Sequence, residues 1–187
     1  MARDLGDFER ECWTFFMAVL GILLLSVGAA ILYGIVQDQV TVRVCVEYFT
    51  VGHPPVFDTT SPALLALGWG VIATWWMGLI LGVPLAVAAR AGSRPKLSAR
   101  HLVGPVAVVL GGMAVTSLAA GLAGWFFAKM GWVRLVPDLA GLVPEERHHR
   151  FIANLWAHVA AYASGTVGAL TLCVRTWRRR GRPARAG

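Results

Sequence analysis

Apolar residues run through four long stretches of the chain, and polar and charged residues collect between them. The stretches are residues 14–36, 63–89, 102–128 and 151–174; His158, in the last, is the one residue inside them that gains charge near neutral pH. A bilayer core needs about 20 residues of helix to cross it. Each stretch is long enough. The pattern therefore predicts an all-α fold, a transmembrane four-helix bundle forming a single integral membrane domain over 1–187. Loops are expected at 37–62 and 129–150, with a basic tail at 175–187.

The first loop has its own pattern. Val40, Val42, Val44 and Val46 alternate with Thr41, Arg43, Cys45 and Glu47. Period two in β-branched residues signals a strand. A β-like segment is expected there, between the first and second spans, broken at His53, Pro54 and Pro55. The third loop is amphipathic, contains Pro137 and Pro144, and is expected to hold a short interfacial helix.

Small residues recur at every fourth position within the spans. The second carries Gly70, Thr74, Gly78, Gly82 and Ala86; the third Gly112, Thr116, Ala120, Gly124 and Ala128; the fourth Ala153, Ala157, Ala161, Gly165 and Ala169. Helices in lipid associate where small residues let backbones approach. Gly78, Gly82, Ala120, Gly124 and Gly165 are thus the expected packing positions.

Composition sharpens this reading. Hydrophobic residues make up 57% of the chain and charged residues 14%, against about a quarter charged in ordinary soluble domains. A soluble enzyme and a disordered chain are both excluded. Net charge is +7, from fifteen arginines and two lysines against ten acids. The basic residues flank the spans, which argues for membrane topology and against nucleic acid as a partner. Twelve fall in the N-terminal segment, the second loop and the tail, and five in the other two loops. The positive-inside rule then places both termini in the cytoplasm. With the arginine bias, the expected location is a bacterial cytoplasmic (inner) membrane.

Candidate chemistry is sparse. Asn154, His158, Tyr162 and Thr166 form a polar stripe four residues apart on the last span, with Trp156, Ala163 and Leu170 opposite, facing lipid. An ionisable residue inside a span marks a candidate site, although polar groups there also serve as packing glue. Acids and histidines of the outer loops, with Glu47 and His53 foremost, would join His158 if a metal were held. Cys45 stands alone in the first loop, open to solvent, and no CxxC is present, which excludes thiol–disulfide exchange. A single intramembrane histidine excludes paired-histidine haem ligation.

Tyr33-Gly34, Asp38-Gln39 and Glu47-Tyr48-Phe49-Thr50, followed by Gly68 to Trp76 (GWGVIATWW), resemble a group of small bacterial four-span membrane proteins without an assigned activity. The resemblance implies a kind of protein and no reaction. The leading expectation is a non-enzymatic membrane protein acting as a subunit or homo-oligomer through helix packing in the lipid bilayer. The alternative is a metal-dependent or small-solute site at the outer face, using Glu47, His53 and His158.

Overall fold

The protein is described by a computed structural model covering residues 2–181, with side chains from residue 6 onward. The side chain of Arg3, and Arg182 and Arg185 of the tail, lie outside the described residues. All regular structure among the described residues is helical. In chain order the helices are α1 (Ala2–Val44), α2 (Glu47–Thr50), α3 (Pro62–Ile72), α4 (Trp75–Arg90), α5 (Val103–Lys129), α6 (Pro137–Ala140) and α7 (His148–Arg180), with single 3₁₀ turns at Ala99–His101 and Glu145–Arg147. Among the described residues four stretches are helical and apolar enough to cross a membrane: Gly6–Val44, Pro62–Arg90, Val103–Lys129 and Glu145–Arg180.

No strand forms at Val40–Thr50. Helix α1 continues through Val44, and α2 starts at Glu47. The reason lies in a second period hidden under the alternation. Asp38, Thr41, Val42 and Cys45 are all buried, at 4%, 1%, 4% and 0% exposure, and they are spaced i, i+3, i+4, i+7, one face of a helix. Valine costs a helix only a few tenths of a kcal/mol per residue, so burial of that face outweighs it. The third loop, where a short helix was expected, holds α6, one turn long and begun by Pro137.

The helices pack as two pairs. Helix α1 lies along α3 and α4; α5 lies along α7; the pairs meet chiefly through α4 and α7. Within the first pair the backbones touch. A Cβ on Gly70 would fall 2.6 Å from the Ile35 backbone, and one on Gly78 2.7 Å from the Val27 Cα. Gly82 meets the Ser26 side chain instead. In the second pair Gly124 sits under Trp156 and Gly165 under Met113, and Ala120 is half-buried. Trp156 is therefore a packing residue against α5 and not a lipid-facing one, as its ring also lies 5.9 Å from that of Phe127. Gly112 is exposed with nothing near it.

The buried apolar residues form two clusters. One, around Cys45, Phe49, Ala66 and Phe151, closes the end that carries α2. The other, around Ile22, Leu85, Ala89 and Leu102, closes the end where α4 finishes and α5 begins. Between them the two helix pairs part.

Candidate functional site

The gap between the pairs is a cavity of about 170 Å³. It reaches from Tyr48 and His53 at the α2 end to Leu85, Val106 and Leu172 near the termini. From His158 to Leu172 along α7 is about 21 Å at 1.5 Å per residue. Its lower walls are apolar, with Leu81, Leu110 and Met113 among them. Its polar groups collect at the α2 end.

Asp38 stands at the centre of those groups. Extension of α1 beyond residue 36 turns it from a loop acid into a carboxylate on the inner face of a membrane-length helix. It is 4% exposed and lines the cavity. Its near partner is His158 Nε2, 3.5 Å away, and no hydrogen bond to the carboxylate forms among the described side chains. Burying a carboxylate costs several kcal/mol unless it is paired and well bonded.

His158 reaches across from α7. Its Nε2 lies 2.9 Å from Thr41 Oγ1. The Thr41 hydroxyl has one proton and donates it to the Gln37 carbonyl, 3.0 Å away. The imidazole Nε2–H is then the donor to Thr41. Tyr48 stacks on the imidazole at 4.7 Å between ring centroids. Around it stand Phe49 and His53, centroids 5.4 and 5.0 Å away, with Trp69 4.5 Å beyond His53. Burial, with Asp38 close by, pushes the Tyr48 phenol above its ordinary range, so it stays protonated.

The other members of the α7 stripe each meet the opposite helix pair. Asn154 is buried, and its Nδ2 donates to the carbonyls of Thr41 and Cys45 at 3.0 and 3.4 Å. These carbonyls, at the C-terminal end of α1, also accept from the backbone N–H groups of Cys45 and Tyr48, at 3.0 and 3.3 Å, so Asn154 adds a second donor to each. The Tyr162 hydroxyl donates to the Ala73 carbonyl at 3.1 Å. Ala73 lies in the break between α3 and α4, where the helix stops for two residues against the cavity wall. Irregular backbone at membrane depth persists where protein groups satisfy it, and Tyr162 supplies that group. Thr166 bonds the Tyr162 carbonyl of its own helix at 2.8 Å.

The outer-loop residues divide. His53 lines the cavity, its Nδ1 donating to the Tyr48 carbonyl at 2.8 Å. Glu47 does not join it: its Oε2 accepts from Cys45 Sγ at 3.2 Å. Glu47, His53 and His158 are thus not gathered as a ligand set, and among the described residues no three His, Cys, Asp or Glu are. Cys45 is fully buried, not open to solvent, and burial with Glu47 beside it pushes the thiol up to about 12.

Arg180 was concealed in the run of tail arginines. It is 4% exposed. Its guanidinium donates to the carbonyls of Ala88, Ala91, Arg94 and Pro95 at 2.6 to 3.0 Å, capping α4. No sequence signal separates it from Arg178 and Arg179.

Comparison with protein-family models, curated proteins and solved structures finds no match to the chain.

Proposed function

We propose that this chain is a non-enzymatic, multi-pass protein of a bacterial cytoplasmic membrane, a transmembrane four-helix bundle that binds a small, mostly apolar molecule between its two helix pairs. Asp38 carries the reading. A protein that only packed its helices would gain nothing from a buried carboxylate without a good partner, and would be more stable with an apolar residue there. A ligand group at the α2 end gives the carboxylate the partner it lacks. The apolar walls below supply the contact area usual in small-molecule sites.

This is the small-solute reading, moved from Glu47 to Asp38 and without a metal. The subunit or oligomer reading leaves Asp38 and the cavity unexplained. In the proposed orientation the termini are cytoplasmic and the polar end of the cavity lies in the outer leaflet.

The test is identification of small molecules that leave with the protein. Protein purified in mild detergent would be extracted and analysed by mass spectrometry, alongside Ala169→Phe, which fills the lower cavity. The expected result is a compound near one equivalent in wild type and strongly depleted in the variant. Equal recovery from both, or none from either, would count against a ligand in this cavity.

A further inference from the structure

We infer that the cavity takes an organic cation: an apolar body carrying one protonated amine, seated on Asp38 and against the surrounding aromatic rings. This rests on the cavity being a ligand site, and it deepens that reading by naming the ligand's chemistry.

Charge is the first argument. The ionisable groups facing the cavity are Tyr33 and Asp38 from α1, Tyr48 from α2, His53 after it, and His158 and Tyr162 from α7. Among the described residues no lysine or arginine lines it. With the imidazoles and phenols neutral, Asp38 is the one group there that can carry a full charge, and that charge is negative. An anionic head would meet that charge with no cation to offset it.

Hydrogen bonding points the same way. The hydroxyls of Ser26, Thr74 and Tyr162 already donate to the carbonyls of Ile22, Gly70 and Ala73, and that of Tyr33 to Gln37 Oε1. The Nε2–H of His158 serves Thr41 at 2.9 Å before Asp38 at 3.5 Å. His53 spends its Nδ1–H on the Tyr48 carbonyl, which leaves Nε2 of the neutral ring as an acceptor. The Tyr48 hydroxyl and the Gln37 amide are the donors left over. The chief unsatisfied group is therefore an acceptor, the Asp38 carboxylate, and a ligand that donates to it fits best.

The rings supply the third argument. Tyr48, Phe49 and Trp69 gather at the same end as Asp38. Aromatic faces attract a cation, more strongly once it is desolvated. A carboxylate together with aromatic faces recognises an ammonium group; a hydroxyl or carbonyl head would use neither its charge nor their quadrupoles.

A matched series of probes tests this: octylammonium, octanol and octanoate, titrated calorimetrically into full-length protein in zwitterionic nanodiscs, with empty nanodiscs subtracted. Wild type should bind octylammonium at least tenfold more tightly than octanol and show no octanoate binding. Asp38→Asn should erase the amine preference, and Asp38→Glu, which keeps the charge, should retain it. If Asp38→Asn fails to fold, the wild-type series alone decides. Octanol binding as tightly as the amine, or an amine preference surviving Asp38→Asn, would overturn the cation assignment while leaving a cavity ligand in place. Binding of none of the three would overturn the cation assignment too. If Ala169→Phe then also recovers the same small molecules as wild type, the cavity itself holds no ligand.

Discussion

Asp38 and His158 lie far apart in the chain and meet only because α1 runs on past its apolar stretch. The α7 stripe was legible, since spacing by four places Asn154, His158 and Tyr162 on one face whatever that face meets. Their partners were not legible, because those are carbonyls of Thr41, Cys45 and Ala73, and a sequence does not show which carbonyls a helix end or break brings within reach. Two single residues give direct tests. Cys45 is buried, with its thiol pushed up to about 12. A raised thiol stays neutral below that value, so at pH 8 only about one molecule in ten thousand carries the reactive thiolate. Maleimide should label Cys45 at least a hundredfold more slowly than exposed Cys12, and still slowly at pH 9; rapid labelling at pH 7.5 would contradict its burial. Ionising this thiol would oppose folding, so its contribution to stability is present at neutral pH and is lost as pH rises from the ordinary thiol range toward 12. Arg180→Lys should lower stability by about 3 kcal/mol, since an ammonium cannot reproduce a planar fork bonded to four carbonyls. Arg178→Lys, on an exposed side chain, should leave the melting temperature unchanged.

At the scale of elements, the four apolar stretches were readable because length and lack of charge suffice to define a membrane-length helix. Their ends were not. Val40–Val46 satisfies two periods at once, and the choice between them was made by Asp38, Thr41, Val42 and Cys45 packing on one face. The break after α3 also left no mark, since Ala73 and Thr74 are unremarkable within a helix; it exists where Tyr162 arrives to bond the freed carbonyl. The small-residue ridges named candidate contact positions without their partners and without grading them. Gly70 and Gly78 touch backbone, which cannot move aside, whereas Gly28 has nothing within 4 Å. Gly70→Ala and Gly78→Ala should each cost about 1–3 kcal/mol. Gly28→Ala should stabilise the helix by several tenths to about 1 kcal/mol. Thermal unfolding in detergent separates these outcomes, and equal effects at all three positions would place the contact elsewhere.

For the whole molecule, four membrane-length stretches joined in sequence bring the start of α1 and the close of α7 to one end, where Arg180 also meets the close of α4. The imbalance of twelve basic residues against five predicts that this end is cytoplasmic. A periplasm-active reporter fused after Gly187 should be silent and a cytoplasm-active one bright; the reverse would invert the proposed orientation. Ligand linkage tests most directly whether the space between the helix pairs is a binding site. A ligand bound only to the folded state raises stability by RT ln(1 + [L]/Kd), about 2.7 kcal/mol at a hundredfold excess over Kd. The measurement is the melting temperature of wild type and Ala169→Phe, each before and after exhaustive detergent washing, and again after the wild-type extract is returned. Wild type should lose several degrees on washing and recover them with the extract, and Ala169→Phe should do neither. Identical behaviour of the two proteins would contradict a ligand held between the helix pairs.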